Sequence, residues 1–213
     1  MNNLELGYYP IADGYGYFLD SAPQEVLNEL KVQIDEIQNN FDNGKKVNER
    51  LIGEIQHEYG IKPQPLTTQY IKGLCQHFDN ISEHVKVHYK YRPNLKFNDL
   101  WVNFQQKYEY NPIHDHSGVF SFVIWYQIPY KFEDERKYSY KNLDRDCSHG
   151  VFSFVTPNVF SRQSNFTLHR LDIDKSKEGY VAIFPSSLNH VVYPFYSSDE
   201  YRITVAGNIE VVN

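Results

Sequence analysis

Cysteine is nearly missing from this chain: Cys75 and Cys147 are the two it has, in no metal-binding or redox spacing. That excludes a disulfide framework and a thiolate metal cluster. Long apolar runs are also lacking. No stretch reaches the roughly 18 consecutive apolar residues of a membrane span. Met1-Asn2-Asn3-Leu4-Glu5 offers neither the charged nor the apolar part of a signal peptide. Positive charge is in deficit, with 21 Lys and Arg against 27 Asp and Glu and a net charge of −6. Broad, non-specific nucleic-acid binding needs many cations to neutralise phosphates, so it is not expected. Repeats, low-complexity tracts and flexible linkers are absent. Asn165-Phe166-Thr167 fits a glycosylation sequon, but without an export signal the match is read as chance. These absences predict a soluble, cytoplasmic protein that does not engage membranes.

What the chain has in excess is aromatic sequence, 16% of 213 residues, with 18 Tyr and 14 Phe against a single Met. Such residues suit half-buried pleated surfaces and lean the prediction toward β structure. The length fits one domain over residues 1–213 with room for a proper core. Residues 1–95 read as mainly helical support. Pro23 opens a run to about Asn40 in which Val26, Leu27, Leu30, Ile34 and Ile37 recur at helical steps. Asp20 or Ser21 is the expected cap and Asn43-Gly44 the stop. A second helix is predicted from about Thr67 to Tyr89, and Leu51, Ile52 and Ile55 could form a shorter element. From residue 96 onward the texture changes to short strands. They fall near Trp101–Gln106, Gly118–Ile128, Val151–Val155, Phe166–Ile173, Tyr180–Phe184, His190–Tyr193 and Tyr201–Val205. Helices followed by strands imply an α+β chain ending in a sandwich or jelly roll. The charged stretch from Lys131 to Asp146 is the expected long, solvated loop.

Nine histidines provide the candidate chemistry. His57, His77, His84 and His88 fall in sequence read as helical, and His149 and His169 stand alone; ordinary structural roles suffice for all six. His114-Asp115-His116 differs. On an extended chain residues 114 and 116 project to one side while 115 points away, giving two imidazoles to a divalent transition metal. An unrelated pair of histidines in a solvated loop would read the same. A second segment, Phe184-Pro185-Ser186-Ser187-Leu188-Asn189-His190, is a strand, a turn and a histidine opening another strand. Arg202 and Thr204 follow on one face of the next strand. An Arg in an apolar strand needs a partner. A dicarboxylate ligand would supply one through paired hydrogen bonds, and a protein carboxylate would do so equally.

With these segments in hand, the C-terminal half resembles the 2-oxoglutarate and iron(II)-dependent oxygenases, especially a small group from bacteria and phages. Asn111 to Gly118, Phe184 to His190, and Arg202-Ile203-Thr204 closing on Gly207-Asn208 carry the resemblance. It implies a double-stranded β-helix, a cupin-like jelly roll braced by the N-terminal helices, with residues 96–213 as catalytic core. It also implies Fe(II), 2-oxoglutarate as co-substrate and O₂. The far carboxylate of 2-oxoglutarate would meet Arg202 and Thr204, and Asn103 and Gln105 would line the site. The implied reaction hydroxylates an unactivated C–H bond of a small molecule or side chain, releasing succinate and CO₂. For a viral source the location would be the host cytoplasm.

The family usually has a carboxylate where this chain has His116. Three arrangements remain open: three histidines on the metal, a bulge turning Asp115 inward, or His116 away from the metal with one ligand missing. Strand geometry favours the first. Two rival functions also remain. A three-histidine, cupin-type dioxygenase or isomerase would not use 2-oxoglutarate, and a jelly-roll binding module would use its tyrosines instead. Trp125, Tyr126 and Tyr193 are candidate pocket residues. Oligomeric state and substrate leave no signature; oligomers are compatible with the sequence.

Overall fold

The computed structural model describes residues 6–12, 15–82, 94–139, 147–158 and 165–212. An N-terminal hairpin, β1 (Gly7–Ala12) and β2 (Tyr15–Ser21), precedes helix α1 (Gln24–Asn39). Short strands β3 (Lys45–Lys46) and β4 (Glu58–Gly60) follow, then helix α2 (Pro65–Ser82). Strands β5 (Asn94–Gln105), β6 (Asn111–His114) and β7 (Phe120–Gln127) lead to a short helix α3 (Phe132–Arg136). The chain continues with β8 (Phe152–Pro157), β9 (Phe166–Leu171), β10 (Tyr180–Pro185), β11 (His190–Val192) and β12 (Arg202–Val212). Two antiparallel sheets result. The larger has the order β1-β2-β10-β7-β12-β5-β4-β3 and the smaller β6-β11-β8-β9.

Period-two alternation divides the large sheet into two faces with different work. Val102 and Phe104 of β5, Ile124 of β7, Val181 and Ile183 of β10, and Val205 of β12 turn to the helices. They meet Val26, Leu30, Ile34 and Ile37 of α1 and Ile71, Leu74, Cys75 and Phe78 of α2, all buried. Each fully buried side chain of this kind contributes roughly 1.5–3 kcal/mol, so this layer dominates stability. The opposite face packs Trp125, Ala182 and Phe184 against Phe152, Phe154 and Leu171 of the small sheet. Where β4, β5 and β12 pass over the small sheet, the inward residues become polar and the layer opens into a cleft.

The helical support is present, but the sequence periodicity missed the hairpin β1–β2 and the strands β3 and β4, which extend the main sheet at both edges. Asp20 and Ser21 end β2 instead of capping α1, and Pro23 stands at the cap position. The Asp20 carboxylate accepts from the Tyr70 hydroxyl at 2.9 Å. Glu29 of α1 supplies an unforeseen cap, accepting from the backbone N–H groups of Leu66 and Thr67 at 3.0 and 2.7 Å at the start of α2. The described part of α2 ends at Ser82; residues 83–89 of the expected helix, with His84 and His88, lie outside the described residues. Within the expected solvated loop from Lys131 to Asp146, residues 132–136 form α3, and residues 140–146 lie outside the described residues. Its Glu135 is fully buried, and its carboxylate accepts from the backbone N–H groups of Tyr196 and Ser197, both at 2.8 Å. Both cysteines are free and buried. No described helix is long and apolar enough to cross a membrane.

Candidate metal centre

His114 ends β6, His190 opens β11, and the two are direct cross-strand partners. His116 lies just past β6, where its backbone N–H donates to the Ser186 carbonyl at 2.9 Å. Gly118 makes this turn possible: its φ is +107°, and a Cβ there would stand 2.7 Å from the Ile209 carbonyl oxygen. The three rings converge, with centroids 4.2 Å apart for His114–His190, 5.0 Å for His114–His116 and 5.1 Å for His116–His190. One ring nitrogen from each falls within 4.8 Å of the other two. Asp115 is exposed and is not one of the three clustered groups.

Each strand histidine is oriented by its own backbone. His114 Nδ1 lies 2.7 Å from the Pro112 carbonyl, and His190 Nδ1 lies 3.1 Å from the Leu188 carbonyl. A ring nitrogen facing a carbonyl carries the proton, so Nε2 keeps its lone pair for a metal. Burial pushes all three pKa values down, that of His116 to about 4 with help from the nearby His114. Neutral imidazoles are the form that binds metal, and three of them suit a first-row ion such as iron. Phe152 stacks on His190 at 5.4 Å and Phe184 meets it edge-on at 5.1 Å, so the cluster has an apolar backing.

The large sheet forms the facing wall. Glu58 pairs with Asn103, and Asn103 with Thr204, so these three side chains make one row across β4, β5 and β12. Gln105 and Arg202 make the next row. All five line a cleft of about 630 Å³, open mouth included, together with the three histidines and Trp125. Tyr126 turns to the helix layer instead, and Tyr193 contributes its carbonyl.

Arg202 is 2% exposed and uses every one of its N–H groups. Nε and Nη2 donate to Gln105 Oε1 at 3.1 and 2.5 Å, and Nη2 donates again to the Tyr193 carbonyl at 3.3 Å. Nη1 donates to the Tyr130 hydroxyl at 2.7 Å and to the Gly150 carbonyl at 3.1 Å. Gly150 has φ +70°, and a Cβ there would strike the Tyr130 ring. Every acceptor is neutral, and among the described residues no carboxylate pairs with Arg202. A buried cation without a counter-charge is costly, by several kcal/mol. Gln105 is held at both ends, since one N–H of its Nε2 donates to the Glu109 carbonyl. Asn103 Nδ2 donates to Thr204 Oγ1 at 3.3 Å, and its Oδ1 has no partner.

Sequence reading missed several residues that shape this cleft. Glu58 is 1% exposed with Oε1 unpartnered, and burial, then the charge of Glu109, push its pKa up to about 7. Tyr130 and Gly150 hold Arg202 from segments that carry no pattern. Leu51, Ile52 and Ile55 form no regular element; they belong to an irregular strap lying across the cleft. The strap is pinned where Glu54 N–H donates to the Tyr110 carbonyl at 2.9 Å and Gln56 N–H to Glu109 Oε1 at 3.0 Å. Its Leu51 and Ile52 also border a second hollow of about 800 Å³, open solvent included, that His114 and His116 line as well. The remaining described histidines are structural: His57 stacks on Phe41 at 4.1 Å, His77 meets Phe18 at 5.0 Å, His149 meets Tyr196 at 4.2 Å, and His169 bonds Thr156 at 2.9 Å.

No curated protein matches the chain in sequence. Among solved structures, a Pseudomonas putida prolyl-4-hydroxylase superposes with a TM-score of 0.55 at 12% identity, covering 93% of this chain and 94% of that one. The viral collagen prolyl hydroxylase of Paramecium bursaria Chlorella virus-1, in complex with 2-oxoglutarate, gives 0.51 at 13% identity, covering 92% and 96%. HygX of Streptomyces hygroscopicus, with nickel, 2-oxoglutarate and hygromycin B bound, gives 0.55 at 8% identity, covering 94% and 84%. At such identities these likenesses speak for the fold, the jelly roll expected from the strands. The family model described as "Putative 2OG-Fe(II) oxygenase" matches residues 99–208, just over half of the chain and the stretch that carries all three clustered histidines and Arg202. The chain belongs to the 2-oxoglutarate and iron(II)-dependent oxygenase family.

Proposed function

We propose that the chain hydroxylates an unactivated C–H bond of a small molecule or a side chain, using Fe(II), 2-oxoglutarate and O₂. His114, His116 and His190 hold the iron, and Arg202, Thr204 and Asn103 receive the far carboxylate of 2-oxoglutarate. The observation that carries this reading is the buried Arg202, a cation with only neutral partners, on the wall facing three convergent neutral imidazoles. A dianionic ligand spanning the cleft would neutralise the arginine at one end and reach the metal at the other. Bound iron and 2-oxoglutarate would together supply the O₂-derived oxidant, with succinate and CO₂ released.

The protein's own groups perform the positioning. The Pro112 and Leu188 carbonyls fix two imidazoles with Nε2 toward the metal, and Phe152 and Phe184 keep water from behind His190. Tyr130, with its phenol held protonated by burial, and Gly150 hold the guanidinium in place before ligand arrives. Gln105 occupies the Nε–Nη2 edge of that guanidinium, so a two-bond grip on a carboxylate requires its amide to turn aside. That contact also favours a second reading, in which Arg202 is structural and the three histidines serve a cupin-type dioxygenase or isomerase without 2-oxoglutarate.

Anaerobic titration with Fe(II) and 2-oxoglutarate separates them. The proposal expects the visible metal-to-ligand absorption band of the chelate. Arg202→Ala should weaken 2-oxoglutarate about 10- to 100-fold while metal affinity stays within about 3-fold. Iron binding without the band, and no succinate formed in air, would leave the cupin reading; no metal binding at all would leave a non-catalytic jelly roll.

A further inference from the structure

Among the described residues, three acceptor atoms of residues lining the cleft have no protein donor: Glu58 Oε1, Asn103 Oδ1 and Asn111 Oδ1. Buried acceptors without partners are rare in folded proteins, and each is costly unless a ligand completes it. 2-Oxoglutarate cannot do so, because as a dianion it only accepts hydrogen bonds. Arg202 cannot serve them either, since every one of its N–H groups is spent on neutral protein atoms. An asparagine amide can present its nitrogen by a half-turn, so Asn103 and Asn111 alone decide little. Glu58 cannot turn away in that manner. Its carboxyl is 1% exposed and shares a row with Asn103 and Thr204, on the wall that faces the histidines.

We infer that the substrate presents a primary ammonium group on an aliphatic stem, received by the Glu58 carboxyl together with the side-chain oxygens of Asn103 and Asn111. This rests on the cleft being the oxygenase site proposed above and names the chemistry of its substrate. An ammonium group directs three N–H donors from one point, so it can serve Glu58 and Asn103, paired on β4 and β5, and Asn111 on β6 of the facing sheet. Leu51, Ile52 and Ile55 of the strap and Trp101 of β5 line the same cleft and suit an apolar stem. The ammonium also brings the counter-charge that Glu58 lacks, which a neutral amide or alcohol would not.

The test uses the whole protein without added metal or 2-oxoglutarate, at pH 8, with n-butylammonium and butan-1-ol as probes in ligand-observed NMR. The expected result is binding of the ammonium at least about tenfold tighter than the alcohol. Glu58→Gln, which keeps shape and volume, should bring the ratio to about one while its thermal melt remains cooperative. Equal binding of the two probes by the wild-type protein overturns the inference, whatever the variant does; so does a preference that survives in a folded Glu58→Gln. The Fe(II) and 2-oxoglutarate titration keeps the two proposals apart. A chelate band without ammonium preference removes only this inference, and ammonium preference without a band removes only the oxygenase reading.

Discussion

The two walls of the cleft treat their polar groups in opposite ways. On the small sheet, His114 and His190 have one ring nitrogen tied to a carbonyl two residues back, and aromatic rings fill the space behind. Its histidines are set before any ligand arrives, although Asn111 on the same sheet keeps an unpartnered oxygen. On the large sheet, Arg202 has hydrogen bonds but no counter-charge, and Glu58 and Asn103 keep unpartnered oxygens. Metal binding demands fixed geometry, which preorganised imidazoles provide. Recognition of organic ligands instead leaves groups whose partners come from outside. The large-sheet wall therefore reports on what binds, and the histidine cluster on what reacts.

The sharpest way to break the first wall is His190→Ala, which removes the histidine that both other rings approach. Metal affinity, followed by Fe(II) or Co(II) titration, should fall at least about 100-fold with loss of turnover. Next comes a change behind the second wall. Phe104 is fully buried on the helix side of β5, between Asn103 and Gln105. Phe104→Ala should lower unfolding free energy by about 3–5 kcal/mol in urea, without the charge-specific losses expected at Arg202. A smaller effect tests the unfinished wall by pH. Glu58 is raised from 4.5 to about 7, by burial first and Glu109 second. A raised carboxyl pKa means the folded state holds the proton more tightly. Its contribution is therefore complete below about pH 4.5 and lost as pH rises through about 7. Measured against Glu58→Gln, wild-type stability should decline by about 3 kcal/mol across that window. Asp115→Ala should do least, changing metal affinity less than about twofold, since Asp115 is exposed outside the cluster. A large loss there would return Asp115 to the ligand set.

Legibility followed the same division. The histidines were readable because a strand fixes which side residues 114 and 116 share, and because Arg202 interrupts an apolar strand. The alternation Val102-Asn103-Phe104-Gln105 was readable for the same reason, and the apolar pair does face the helices. Glu58 was not readable. It stands in a three-residue strand, too short to show a period, and its cross-strand partner Asn103 is distant in sequence. The hairpin β1–β2 escaped because Gly7-Tyr8-Tyr9-Pro10 lacks clean alternation, and its strand character depends on pairing with β10. The charges around Glu135 read as solvent-facing because composition cannot reveal two backbone N–H groups from residues 196 and 197 waiting for a carboxylate.

Strand β12 lies between β5 and β7 and is hydrogen-bonded to both along most of its length. Without it the large sheet is two separate pieces, β1-β2-β10-β7 and β5-β4-β3. Its arrival joins partners about 100 residues apart in sequence, a long loop closure of the kind that slows folding to milliseconds or seconds. Arg202 and Thr204 ride on that strand. The step that welds the sheet is thus the step that installs the buried cation, and a partly folded chain with an intact histidine cluster would still lack its anionic anchor.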